Sequence, residues 1–333
     1  MNSLPLVSIC VPVYGVEKYI ERCARSLFAQ SYSNIEYLFV NDCTKDASMD
    51  VLCEVLKNYP NRTKQVKIIN HEKNLGLAGA RNTGIMYASG DFVMWVDSDD
   101  YVDLELVEKC VNKQKDDDSD IVTAGALHIK KNHAIPFFEK TYPSIEKNVA
   151  AILARKAEVR VWGRLIRRQL YIDNHISVEV GANMGEDYQV IPLLYFFSKK
   201  VSVLNEVLYY YDCSNEGSYS NRFSEEKNRQ SWRSFDLVKN FFSEKSLFKK
   251  ELTESELVII VAHLNISARE NADYYYNNAV RRLQSIDSEC WKKIPFANRM
   301  TLYLHDYRKL MNGYILIARN IRHLMLHLKS LLR

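Results

Sequence analysis

The chain has 333 residues, 47% hydrophobic and 26% charged, with 45 Lys/Arg against 41 acids for a formal charge of +4. That suits one large folded domain with an extension, or two domains, and excludes long disordered tracts. Seven scattered cysteines with no CxxC pair, and no apolar run near the ~18–20 residues of a membrane span, argue against a disulfide framework, a cysteine zinc site and a transmembrane helix, and point to a reducing compartment.

The opening MNSLPLVSICVPVY lacks the basic and apolar regions of a signal peptide, and Leu6–Val13 reads as a first β-strand. Tyr19, Ile20, Cys23, Leu27 and Phe28 recur at helical spacing, which predicts a helix over Glu17–Ala29. Then follow strand Ile35–Val40, helix Ala47–Tyr59, strand Val66–Asn70, helix Leu77–Ala88, strand Asp91–Val96, helix Leu104–Gln114 and strand Asp120–Ala124. This alternation predicts βαβ units and a mostly parallel sheet, with ligands beyond the carboxyl ends of its strands. Residues 126–222 are mixed, with helices near Val149–Arg155 and Tyr188–Phe197 and strands Val201–Leu204 and Val207–Tyr211. From Ser224 the pattern is helical, with breaks near Ser243–Thr253 and Ser285–Pro295.

The stretch FVMWVDSDDYVD (92–103) runs an apolar strand into three carboxylates. Such charges repel by about 1 kcal/mol per pair in water and by more when partly buried. A hard divalent cation sharing them with substrate phosphates would offset that cost; an acidic turn capping the next helix is the plainer alternative. Strand one ends in Pro12-Val13-Tyr14, strand two in Asn41-Asp42 and strand four in Asp97-Ser98-Asp99. All three endings fall on one rim, which argues against independent caps.

Three blocks together resemble the nucleotide-binding half of a family 2 inverting glycosyltransferase of the bacterial surface-polysaccharide type. They are SICVPVYGVEKYIERCARSLFAQSY, EYLFVNDCTKDAS and NLGLAGARNTGIMYASGDFVMWVDSDDYVD, spanning about residues 5–125. Weaker likeness continues through VWGRLIRR, GEDYQV and YYYDCSNEGSYS, and stops near residue 222. The resemblance implies a GT-A fold, a Rossmann-like mixed, mostly parallel sheet flanked by helices, over 1–222. Residues 1–125 would form the nucleotide-sugar half, 126–222 the acceptor-side half, and 223–333 a helical C-terminal region.

The resemblance also assigns roles. Pro12 and Tyr14 would wall a uracil-like base, Glu17 would lie near the ribose, and Asp42 would accept the base's imide N–H. The familiar DDGSTD is here NDCTKD, with Asn41 before Asp42 and Cys43 where glycine is common. Arg81, in the glycine-rich NLGLAGARNTG, would face the diphosphate or order the aspartates. Asp97 and Ser98 would contact the sugar nucleotide, Asp99 would bind Mg²⁺ or Mn²⁺ directly with Asp97 helping through water, and Asp100 would cap the following helix. Asp187, with Glu186 second, would be the base that takes the acceptor's proton; their plainer reading is a first-turn helix position. Trp162 would line the acceptor pocket unless it is core, and Arg164 would grip a phosphate in place of the lysine of a W-N-K pattern. Ser218 and Ser220 would belong to a loop closing over the diphosphate.

The tail places Leu310, Tyr314, Ile317, Ile321, Leu324, Leu328 and Leu331 on one helical stripe. Residues 301–333 hold six Lys/Arg against Asp306, a local +5. Such a helix lies on an anionic membrane surface, or packs on its own domain or a second subunit of a homo-oligomer. The expected activity is transfer from a nucleotide-diphosphate sugar, UDP-linked, to a glycan or lipid-linked acceptor, in a cytoplasmic protein peripheral to the inner face of the membrane. An inactive sugar-nucleotide-binding or scaffolding protein and a nucleotidyltransferase are the alternatives; PVYGVEKYIE lacks the glycine-rich triphosphate loop of the latter. Basic residues are not interleaved with exposed aromatics, so nucleic-acid binding is not expected.

Overall fold

The computed structural model describes residues 4–131, 133–213 and 223–331, with side chains to residue 321 in the last helix. Ser218 and Ser220 lie outside the described residues, as do the side chains of the tail beyond Ile321.

Four parallel strands form the first half: β1 (Val7–Val13), β2 (Ile35–Asn41), β3 (Val66–Asn70) and β4 (Phe92–Trp95), in the order β3-β2-β1-β4. All seven residues of β1 are buried, as expected of a strand covered on both faces by crossover helices. Helix α1 (Ile20–Phe28) turns Ile20, Cys23, Ala24, Leu27 and Phe28 into that core. Helices α2 (Ser48–Leu56), α3 (Gly76–Tyr87) and α4 (Leu106–Asp117) complete the crossovers.

The sheet continues past β4 with strands of mixed direction. A short β5 (Tyr101–Val102) follows the acidic turn, and β6 (Ile121–Lys130), β8 (Arg164–Arg167) and β9 (Val201–Asp212) come later, in the order β4-β8-β6-β9-β5. β8 is antiparallel to β4 and β6, whereas β9 runs parallel to β6. The two strands predicted over 201–211 are one, its register shifting against Ala124, Gly125 and Ala126. β7 (His133–Phe137), hairpinned to β6, is unpredicted because its side chains are mostly exposed and show no alternation. Helices α5 (Ile145–Leu153), α6 (Gln169–Asp173) and α7 (Glu186–Phe197) flank this half.

Helices α8 (Glu225–Glu244), α9 (Lys249–Glu270), α10 (Asp273–Leu283), α11 (Phe296–Tyr303) and α12 (Arg308–Leu331) form the C-terminal region. Both predicted breaks are present, and two more interrupt the run: Asn271, at φ +50°, ends α9, and residues 304–307 separate α11 from α12. The region docks on the second half of the sheet domain, through α7 and the segments after α5 and before α7: Lys156 pairs with Glu254 at 2.7 Å, Arg233 with Glu179 at 2.6 Å, and Gln189 donates to Ser234 Oγ at 2.8 Å.

Candidate active site

The strand endings do converge on one rim. Tyr14 follows β1 and is 54% exposed there, while Pro12 is buried. Glu17 is exposed and accepts the Ala47 N–H at 3.1 Å, joining the loops after β1 and β2. Asp42 is 3% exposed, and both of its oxygens are engaged. Oδ1 accepts from Leu75 N–H at 2.7 Å and lies 2.7 Å from His71 Nδ1; Oδ2 accepts from Gly76 N–H at 2.8 Å. Leu75, the residue at the start of α3, has no side chain to cap it, so the first N–H groups of the helix turn to Asn74 Oδ1, which accepts from Gly76 at 3.1 Å, and to Asp42 beyond the end of β2. Asn183 Oδ1 accepts the Ala78 N–H at 2.9 Å and adds a further such cap, from the segment before α7. Gly76 makes this possible: its φ is +77°, and a Cβ there would sit 2.4 Å from Asn183 Nδ2. Gly76→Ala should therefore cost about 1–3 kcal/mol in urea unfolding, through strain and the displaced amide.

The acidic turn divides its labour. Asp100 is fully buried, and Tyr209 O–H donates to it at 2.7 Å while Asp212 N–H donates at 2.8 Å. Burial, then the charges of Asp97 and Asp99, push its carboxyl well above the ordinary range. Asp100 therefore does not cap the following helix: α4 starts only after Glu105, and Asp100 instead ties the turn to β9. Ser98 is 6% exposed, whereas Asp97 and Asp99 remain partly exposed. Arg22 donates to the Asp99 carbonyl at 3.0 Å and pairs with Asp212 at 2.6 Å. Among the described residues no three His, Cys, Asp or Glu side chains converge as a closed metal cage. Two partly exposed aspartates at a strand end are nevertheless the donor set that a hard cation uses when substrate phosphates complete its shell. Asp99 and Asp97 fit Mg²⁺ or Mn²⁺ in that sense.

Arg81 joins the halves. Its guanidinium is 3% exposed, and Nη2 lies 3.3 Å from Asp97, 3.3 Å from Glu186 and 3.5 Å from Asp187. It also stacks 5.2 Å from the Trp95 ring centroid. Of the two roles the resemblance implies, this geometry provides the ordering of the acids. Gly185, at φ +85°, turns the chain into α7 and sets Glu186 and Asp187 in its first turn. Burial raises the pKa of both; for Asp187 the neighbouring Glu186 charge adds to it, and Arg81 opposes the rise.

Trp162 is 7% exposed and stacks on Tyr209 at 4.3 Å and on Tyr211 at 5.2 Å, with the Arg160 guanidinium 4.3 Å from its ring centroid. Arg164 requires a correction. It has no exposed surface, and it pairs with Glu139 at 2.7 Å, donates to the Arg160 carbonyl at 2.6 Å and to Thr123 at 2.8 Å, and also donates to Tyr195. A cation buried with its own counterion cannot reach out to a phosphate. Gly163 and Cys43, where this chain departs from the familiar pattern, take φ +66° and +59°, left-handed positions of local turns.

His71, Asn183, Arg22 and Tyr209 escaped the sequence reading. His71 follows β3 directly, so the rule applied to the ends of the other three strands would have found it.

A sheet of this order, with an acidic turn at the end of β4 and an acid pair opposite, is a GT-A fold. TarS from S. aureus in complex with UDP-GlcNAc shares it with a TM-score of 0.71 and 21% identity, over 96% of this chain and 92% of that one. Residues 8–184, more than half of the chain, match the family described as Glycosyl transferase family 2, and the chain belongs to that family. Glycosyltransferase GlyA of Streptococcus pneumoniae is 32% identical over 231 residues, 66% of this chain and 32% of GlyA. EpsJ of Bacillus subtilis, described as an uncharacterized glycosyltransferase, is 33% identical over 215 residues, 62% of this chain and 61% of EpsJ. The matched part thus spans between about a third and three fifths of these relatives' own lengths.

Proposed function

We propose that the protein transfers a sugar, with inversion, from a UDP-linked donor to a hydroxyl of a glycan or lipid-linked acceptor, in surface-polysaccharide assembly at the inner face of the membrane. The supporting observation is the single guanidinium of Arg81, which holds the acidic turn of the donor half against the acid pair of α7. A base for the acceptor is thereby held close to the donor's phosphates. Family membership and the UDP-GlcNAc bound to TarS, a structural neighbour, support the donor class.

In this reading the exposed Tyr14 ring packs on the base. Asp42 keeps the α3 N-terminus in place beside it. Asp99, with Asp97, would hold Mg²⁺ or Mn²⁺, whose chemistry when bound is Lewis-acid stabilisation of the departing diphosphate. Asp187 takes the proton of the attacking hydroxyl, and Glu186 and Arg81 set its position and charge. One displacement inverts the anomeric centre, so no enzymic nucleophile is needed.

Calorimetric titration of UDP, GDP and CDP, each with Mn²⁺ and with EDTA, tests the donor site. UDP should bind only with metal, and Asp99→Asn should weaken it about tenfold or more, since one of two protein carboxylates is lost. Metal-independent binding, or none to folded protein, would overturn the assignment. Release of free UDP on turnover separates the transferase from an inactive binding protein, and pyrophosphate release would indicate a nucleotidyltransferase.

A further inference from the structure

The last two helices present an apolar face that no described residue covers. α12 packs inward through Met311 and Ile315, which are 0% and 6% exposed. Leu310, Ile317 and Ile321 are instead 63%, 61% and 54% exposed. At about 100° per residue these three fall within about 40° of one another, and their centre lies about 120° around the helix from the packed pair. Most of the stripe's surface therefore faces water, while Met311 and Ile315 make the inward contact of α12. The preceding segment also exposes Phe296, Tyr303 and Tyr307, at 66%, 49% and 65%. A run of water-facing apolar side chains along one line of a helix marks an interaction site.

We propose that this face docks on an anionic lipid bilayer, with α12 lying in the plane of the headgroups. Charge selects the occupant. Lys309 and Arg319 are exposed on the same helix, and Arg322, Lys329 and Arg333 continue the basic run in sequence. An apolar stripe on a basic helix, with exposed tyrosines and a phenylalanine in the segment that precedes it, suits a negatively charged interface, where aromatic rings and lysine stems both settle. A second copy of the chain fits poorly, because pairing two such faces would bring together two segments of local charge +5. No described helix is long and apolar enough to cross a membrane, so the helix lies on the surface. The proposal deepens the location given above, and its geometry is independent of the donor site.

The test sediments the full-length protein with vesicles of phosphatidylcholine alone and with vesicles containing about one third phosphatidylglycerol, at low and high salt. Binding should be about tenfold tighter or more to the anionic vesicles and should weaken with salt. The double variant Ile317→Glu, Ile321→Glu should lose it by about the same factor, with melting temperature and UDP affinity unchanged because both positions are exposed. Absence of vesicle binding by protein that still binds UDP would overturn the proposal. So would a dimer in sedimentation velocity that Ile317→Glu abolishes, since a second copy would then be the occupant. Loss of UDP binding with vesicle binding intact would instead remove the transferase reading and leave this one standing.

Discussion

Asp187→Asn should lower kcat by about 10²–10⁴-fold, the range ascribed to a positioned general base. The amide keeps the shape of the side chain and removes its capacity to accept a proton. UDP affinity should stay at the wild-type value, because Asp187 lies across Arg81 from the acidic turn and touches no proposed donor contact. Burial and the Glu186 charge raise the Asp187 pKa, so more of it is protonated at mildly acidic pH than of an ordinary aspartate. A base works only when ionised. The rate should therefore rise with pH through a limb above the usual carboxylate range near 3.9, and that limb should vanish in the Asn variant. A matching loss in UDP affinity, or an unchanged kcat, would remove Asp187 from the role of base.

Arg81→Met should cost about 3–5 kcal/mol of stability at neutral pH, the loss expected when one partner of a buried ion pair is removed. Methionine fills much of the volume over Trp95 but leaves Asp97, Glu186 and Asp187 without the cation between them. Glu186 and Asp187, already raised by burial and held down by Arg81, would then keep their protons to higher pH in the folded state than in the unfolded chain. A folded state that binds more protons loses stability as pH rises. The deficit against wild type should thus be largest near pH 7 and shrink toward pH 5. Urea unfolding at the two pH values measures this directly, and a deficit independent of pH would mean that Arg81 acts by packing alone.

The first half of the fold was readable because its chemistry is local. β1 to β4 are apolar runs at regular intervals, and their ends name the rim at Tyr14, Asp42 and Asp97. The second half resisted for a physical reason. β8 is four residues, β5 is two, and β7 is exposed, so each owes its conformation to partners far away in sequence and not to its own pattern. The same limit explains the errors at single residues. Asp100 sits where an N-cap could stand, and only β9 supplies the tyrosine and the N–H that claim it. Arg164 has the charge to meet a phosphate, and only the fold brings Glu139 against it. In sequence the aspartates announce a site, but what each one does is decided by distant partners.

The short pairing of β5 with β9 has a consequence for how this chain can be divided. Tyr101 and Val102 pair with Tyr210 and Tyr209, and Phe92–Met94 pair with Leu165–Arg167. A fragment ending at residue 125 would expose the edge of β4 and leave the buried Asp100 without its tyrosine. Chimaeras that exchange the donor-binding portion between relatives should therefore fail at a crossover near 125 and fold at one placed after residue 212. The whole sheet is thus the smallest unit that such an exchange can move.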